Sequence, residues 1–279
     1  METTDGSPEA ALLDGARAGD HRALGRLLEF EQARIYRYGL QMCRSPDDAA
    51  DVTQETLLAL ARSVSSFRGD ASLSTWLYTV ARSFCLKKRR RRRYAPAVLA
   101  SLDASDDRGA LDVPDRRELP EEALGRQEVE RALDNALGTL APSVRDVVLL
   151  RDVEGLTAPE VAEVLGIGVT AVKSRLHRGR LALRTQLAPL FHGDGSGPLP
   201  ACPDVVGVFS RHLEGETTAA DCAEMERHLA SCSHCRGACE TLRHTLALCR
   251  TTAPARAVPV AVQHALQSAL SRFLAEQAG

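Results

Sequence analysis

Two groups of residues in this sequence have the types and spacing to do chemistry. The first is a set of sulfurs and one imidazole. His228 and Cys232 are four apart and share one helix face, and Cys235 follows by a C-x-x-C step that lets both sulfurs meet one ion. Cys202, at the head of an earlier helix, completes the set. One imidazole and three thiolates form a closed tetrahedral zinc site with no open position, which suits a structural or redox role rather than hydrolysis. Cys222 is the alternative fourth ligand. Cys239 falls on the stripe Cys235, Cys239, Leu242, Leu246 and reads as core packing, while Cys43, Cys85 and Cys249 read as buried or incidental thiols.

The second group lies on Leu156–Arg184, which scans as two helices joined by a tight turn. Thr157 and Glu160 make a capping box at the first helix start, and Gly166 ends that helix. The second helix turns Val172, Leu176, Gly179 and Leu183 inward. Thr170, Lys173, Ser174, His177 and Arg178 face outward, with Arg175, Arg180 and Arg184 flanking them. Residues 169–184 hold five Lys/Arg and no Asp/Glu. Such a helix-turn-helix lays its second helix in the DNA major groove, where the outer residues meet base edges and the flanking arginines meet phosphates.

The elements that position these groups read as all-α. Leu, Ala, Val and Arg dominate, aromatics are scarce, and no alternating strand pattern occurs. No apolar run is long enough to span a bilayer, and the polar start METTDGSPEA is not a signal peptide. The expected location is therefore cytoplasmic, with no membrane partner; there cysteines serve metal or redox chemistry more often than disulfides.

In chain order, residues 1–19 read as a short mobile leader. Over 20–94 the pattern is helical, with Leu24, Leu27, Leu28, Ile35 and Leu40 on one apolar face and Val52, Leu57, Leu60, Ala61 and Val64 on the next. Ser45 with Asp48, and Pro46 at the first helical position, start the second of these helices. Asp48, Asp51 and Glu55, with Gln54 beside them, form an acidic stripe that taken alone is a solvated face. Ser72 or Ser74 caps a helix anchored by Trp76, Leu77, Val80 and Ala81, which ends in seven consecutive basic residues, Lys87–Arg93. Residues 20–94 carry 15 Lys/Arg against 8 Asp/Glu, whereas the proline-punctuated linker 95–123 carries 3 against 8. A basic body beside an acidic strap points to an anionic partner for the body. A helix from Leu124 is broken at Pro142, and Ser143 with Asp146 restarts the next. Residues 124–192 thus form a helix-turn-helix domain, 193–200 a second linker, 201–252 the cysteine module and 253–279 an amphipathic helix. That helix, with Val262, Leu266, Leu270, Phe273 and Leu274 on one side, caps the module or binds another surface.

DAADVTQETLLAL, then SFRGDASLSTWLYTVARS with its basic run, then the acidic linker and LAPSVRDVVLLRDVEGLTAPEVAEVLGIGVTAVKSRLHRGR resemble bacterial extracytoplasmic-function (ECF) sigma factors of RNA polymerase, over roughly Arg22–Leu190. The resemblance implies that Asp48, Asp51, Gln54 and Glu55 dock on the β′ clamp helices of core RNA polymerase. It implies that Phe67, Arg68, Asp70, Ser72, Trp76, Arg82, Ser83, Lys87 and Lys88 capture melted −10 promoter DNA. It assigns Thr170, Lys173, Ser174, Arg175, His177 and Arg178 to the −35 element, in a domain that also meets the polymerase β flap. Ala50 stands where an acidic residue is common in the family, Ser83 where Asn is common, and Lys87 where Asp is common. Gly179 replaces a frequent Ala and is expected to cost its helix about 1 kcal/mol.

From Ala201 to Cys249 the H-x3-C-x2-C core with its upstream Cys resembles the zinc-binding anti-sigma domain. An ECF factor could end before this addition, so the implied function is promoter-specific initiation with a fused zinc module that contacts the sigma domains and restrains them in cis. Two other readings compete. A stand-alone helix-turn-helix regulator with a redox-responsive zinc module leaves residues 45–93 unexplained. A zinc enzyme needs an open coordination position and a nearby general base, and neither is apparent.

Overall fold

Apolar residues at helical spacing dominate the chain, and in the computed structural model every regular element among the described residues is a helix. The described residues are 8–94, 120–191, 202–252 and 258–278, so most of the acidic linker, 95–119, and the second linker, with Ala201, lie outside them. The chain divides into two units, residues 1–113 with 256–279, and residues 114–255. No helix is long and apolar enough to cross a membrane, among the described residues.

The first unit holds α1 (Pro8–Arg17), α2 (His21–Cys43), α3 (Pro46–Ser63), α4 (Leu73–Tyr94) and the C-terminal helix, α12 (Val260–Ala278). Part of the expected leader is α1, which buries Ala16 and sets Glu9 3.7 Å from Arg34 of α2. The Asp20 carboxylate caps α2 by accepting from the amides of Arg22 and Ala23, and Arg44 closes that helix in the left-handed region. Ser45 accepts from the Asp48 amide to cap α3, with Pro46 inside the first turn. Ser72, not Ser74, caps α4 by accepting from the Thr75 amide; Ser74 instead accepts from Arg34. Leu27, Leu28, Ile35, Val52, Leu57, Leu60, Leu77 and Ala81 fill the core between these helices, and Tyr38 and Tyr78 meet edge to face. The basic run continues α4 as far as Tyr94.

The second unit begins with α5 (Pro120–Thr139) and α6 (Pro142–Val148), which runs into a π-turn at Leu149–Val153. Ala141 is the cap of α6 and makes no side-chain cap bond, and Asp146 is buried, so Ser143 and Asp146 do not start this helix as expected. The α5–α6 corner is held instead by Arg145, whose guanidinium donates to the carbonyls of Leu137, Gly138 and Leu140. These are acceptors that a helix end leaves unsatisfied. The helix-turn-helix is α7 (Ala158–Leu165) and α8 (Val169–Leu187). It carries the expected Thr157/Glu160 capping box and has Gly166 at φ 65° as its left-handed stop.

Gly179 is a packing requirement of this domain. A Cβ there would sit 2.4 Å from Val148 Cγ2 and 3.0 Å from Val144 Cγ1, so α6 crosses α8 at the one position without a side chain. The expected propensity cost of glycine therefore comes with a close helix approach that alanine would obstruct.

The same unit continues with α9 (Val205–His212), α10 (Ala219–Ser231) and α11 (Ser233–Thr252). Val205, Val206, Cys235, Cys239, Leu242 and Leu246 make their shared core. A second capping box, Thr218 with Asp221, starts α10. Arg236 donates to the Leu229 and Ala230 carbonyls and ties the end of α10 to α11.

Candidate metal centre and nucleic-acid interface

The helical frame brings Cys202, His228, Cys232 and Cys235 together, with all four ligand atoms within 4.8 Å of one another. The Cys202 and Cys232 sulfurs are 3.9 Å apart. Two sulfurs at about 2.3 Å from one tetrahedral zinc ion lie about 3.8 Å apart, so the spacing suits that metal. His228 Nε2 is buried with no hydrogen-bond partner among the described residues, an orphan that a metal bond would satisfy. The thiols also differ electrostatically. Backbone N–H donation at Cys235 holds the Cys232 thiol low, whereas burial, with the Cys202 and Cys232 sulfurs beside it, pushes the Cys235 thiol up to about 12. Packing three sulfurs together disfavours their charged forms unless a cation sits among them. Cys222 lies elsewhere, 3.5 Å from His212 Nδ1, and is not in the cluster. Cys239 is in the core, and Cys43, Cys85 and Cys249 are buried as expected.

Next to this centre in sequence, the turn after α9 carries Glu214, Gly215 and Glu216, and its carboxylates reach α8. Glu214 accepts from Arg180 at 2.7 Å and from Arg151 at 3.1 Å. Arg180 also grips Asp152 at 2.6 Å and donates to the Ser210 carbonyl. Two arginines and two carboxylates make a charge-balanced cluster in which Arg180 and Asp152 are each only 2 % exposed. Burial alone would push the Arg180 guanidinium down, but the two carboxylates offset this and hold it above its ordinary value. Lys173 is engaged too, at 3.0 Å from Glu216 Oε1 and 3.3 Å from the Glu214 carbonyl.

Two expectations for α8 are therefore corrected. Arg180 and Arg184 were expected to flank the outer face for phosphates, yet both are buried. The cause is register. Gly179 and Leu183 point inward, and Arg180 and Arg184 follow them by one position onto the side that α9 and α11 cover. Thr170, Ser174 and Arg178 remain exposed, Lys173 and Arg175 are half-buried, and His177 is half-buried with its Nδ1 unpartnered.

In the first unit, Asp51 and Glu55 stand exposed on α3, while Asp48 and Gln54 are half-buried. Lys88 of α4 reaches Asp48 at 3.9 Å and pairs closely with Asp51, so two residues expected to serve different partners hold each other. Around the −10 positions, Phe67 packs edge to face on Trp76, Arg68, Asp70, Ser72, Ser83 and Lys87 are exposed, and Arg82 is half-buried. Helix α12 lies along α3. Val258 is buried with Tyr36 and Ala49, and Val262 packs there beside Ala50. A groove of about 340 Å³ runs between Asp47, Asp51 and Gln54 on one side and Pro259, Val262 and Leu266 on the other. Ala50, where an acidic residue is common, packs against the same small cluster as Val262.

Known families match both units. The description "Sigma-70 region 2" matches residues 27–94, "Sigma-70, region 4" residues 130–183, and "Putative zinc-finger" residues 202–236. The RNA polymerase sigma-H factor of Pseudomonas aeruginosa is 31% identical over 182 residues, covering 64% of this chain and 94% of the relative. The ECF RNA polymerase sigma factor SigM of Mycobacterium tuberculosis is 31% identical over 185 residues, covering 66% and 87%. SigW of Bacillus subtilis, also an ECF RNA polymerase sigma factor, is 29% identical over 177 residues, covering 62% and 94%. The chain belongs to the ECF RNA polymerase sigma factor family. This sigma factor carries a zinc-finger-like module fused behind its region 4. The buried partners of α8 in this sigma factor, Asp152 and Glu214, were not legible from motifs. The signal that could have found Glu214 is the E-G-E turn facing a helix with five basic residues and no acidic ones.

Proposed function

We propose that this sigma factor binds core RNA polymerase through Asp48, Asp51, Gln54 and Glu55, reads −35 DNA through the outer face of α8, and is restrained in cis by its own C-terminal third. In this reading Phe67–Ser72 and α4, through Trp76, Arg82, Ser83, Lys87 and Lys88, take the melted −10 strand, which calls for a basic groove with aromatic surface. Zinc is held by Cys202, His228, Cys232 and Cys235. When bound it supplies a fixed tetrahedral node, and the chain's own residues do the rest by setting the Glu214–Glu216 turn at the end of α9.

One observation carries the restraint. Lys173, a base-facing position, is engaged by Glu216 and by the Glu214 carbonyl, the kind of oxygens it would otherwise seek on DNA. The first unit supports the same reading, because α12 packs beside the α3 residues that would meet polymerase. The test is transcription from a candidate promoter with core enzyme, comparing the full chain with residues 1–192. Higher activity for the truncated chain is expected. Equal activity with and without zinc removes cis restraint, and failure of both chains to bind core enzyme removes the sigma reading itself.

A further inference from the structure

Cys43, the last residue of α2, and Cys85, in the middle of α4, are 42 apart in sequence, yet their sulfurs lie 2.8 Å from each other. This is closer than the Cys202–Cys232 sulfurs of the metal centre, at 3.9 Å. Both are buried, Cys85 completely and Cys43 at 8 % exposure. The two are thiols, not a disulfide. Among the described residues the one group of three or more His/Cys/Asp/Glu placed to hold a metal is that around Cys202, so this pair is not part of a metal cluster. Two buried thiol sulfurs in contact are placed to join in a disulfide.

We propose that Cys43 and Cys85 form a peroxide-driven disulfide that staples α2 to α4. Cys43 is the less buried of the two residues. As thiolate it attacks the O–O bond of a hydroperoxide, takes one oxygen as sulfenic acid and releases the alcohol, or water when the oxidant is hydrogen peroxide. The Cys85 sulfur then attacks the Cys43 sulfur, the S–S bond forms, and the sulfenic oxygen leaves as water with the remaining proton. Two thiols lose two electrons and two protons, and the hydroperoxide is reduced by the same two electrons. The site matters because α4 carries Arg82, Ser83, Lys87 and Lys88 around Cys85, and Lys88 is the cation that meets Asp48 and Asp51 of α3. A staple at Cys85 fixes the central turn of that helix to the body of the unit.

The experiment treats the full chain with hydrogen peroxide while circular dichroism shows its helices intact. The chain is then denatured and alkylated, and its peptides are mapped by mass spectrometry without reductant. The expected result is a peptide pair linked through Cys43 and Cys85 that separates on reduction. The melting temperature of the first unit should also rise, on the order of 10 °C, because the link closes a long loop. Cys43→Ala and Cys85→Ala should each abolish that rise. The cysteines at 202, 232 and 235 report whether oxidant reached the protein. Alkylated Cys43 and Cys85 beside oxidised metal-site cysteines would overturn the proposal, as would Cys43 over-oxidised without a link or joined to another cysteine.

Discussion

Two helices of this sigma factor, α3 and α8, carry the side chains expected to meet its partners, and each is covered by a different part of the C-terminal third in a different way. Over α3 the cover is apolar and thin. Val258 and Val262 pack with Tyr36, Ala49 and Ala50, and Asp47, Asp51 and Gln54 line a groove whose other side is Val262 and Leu266. Over α8 the cover is ionic and enclosed, with Glu214 and Asp152 around a buried Arg180 and Glu216 on Lys173. Apolar contact scales with area and makes few demands on orientation. A buried ionic cluster is different: it is stable only while every charge keeps its partner, so removing one strands another. The α3 cover should therefore yield gradually to competition, whereas the α8 cover should hold or fail as a whole.

The largest effect should come from the metal, because α9, α10 and α11 share a small core that includes or packs against Cys202, Cys232 and Cys235 of the candidate site. Binding of a structural zinc contributes on the order of 10 kcal/mol to such a fold. Chelation, or Cys232→Ser, should unfold the module and with it remove Glu214 and Glu216 from α8. Far-ultraviolet circular dichroism should show partial loss of helix, and affinity for −35 duplex DNA should rise at the same chelator concentration. Retention of full helicity after zinc is stripped would show that the apolar core suffices, and that the comparison between the two covers does not depend on metal.

A matched pair of substitutions isolates the two covers. Glu214→Ala leaves Arg180 and Arg151 short of one buried carboxylate, a change of about 3–5 kcal/mol. It should increase −35 binding sharply while leaving core-enzyme binding unchanged. Leu266→Ala removes a buried side chain from the α12 contact and should cost about 2–3 kcal/mol. It should increase core-enzyme binding and leave −35 binding of the isolated protein unchanged. Equilibrium binding of both variants to both partners reads the result, and equal effects of each on both partners would mean that the covers act as one.

The sequence made much of this legible, for reasons that differ from residue to residue. The Thr157 box, the Gly166 stop, the Ser45 cap and the inward stripes of α2, α3 and α8 are local rules, and each element follows them. The candidate metal cluster was legible because H-x3-C-x2-C keeps three of its four members close together in sequence, here at the corner between α10 and α11. Only Cys202, 30 residues before Cys232, had an alternative, which tertiary packing removed. What escaped was long-range. Arg180 and Arg184 look like phosphate contacts on an isolated helix, and no local pattern says that Asp152 and Glu214 will enclose one of them. The contact of Gly179 with Val148 is likewise a property of a helix crossing, not of either helix. The place of α12 was open because an amphipathic stripe says that a helix packs, but not on what.

The smallest effect tests the outer face of α8 itself, where Arg178 and Lys173 are neighbours with different circumstances. Arg178 is exposed, and its Nε donates to the Ser174 carbonyl of its own helix at 3.4 Å. Lys173 is held by Glu216 and the Glu214 carbonyl. If Arg178 reads a base pair, Arg178→Ala should cost about 1–3 kcal/mol at one −35 position and little elsewhere, in the full chain and in residues 1–192 alike. Lys173→Ala should behave differently in the two chains. In the full chain the lysine is already engaged, so its loss also frees Glu216 and the net change in DNA affinity should be small. In residues 1–192 the whole contact is lost. Competition binding against −35 duplexes substituted one base pair at a time, in both chains, separates the cases. A uniform loss across all sequences for Arg178→Ala would make it a phosphate contact. Equal losses for Lys173→Ala in the two chains would mean that the Glu214–Glu216 turn does not compete with DNA, and the restraint would then have to act through α12 and the α3 face.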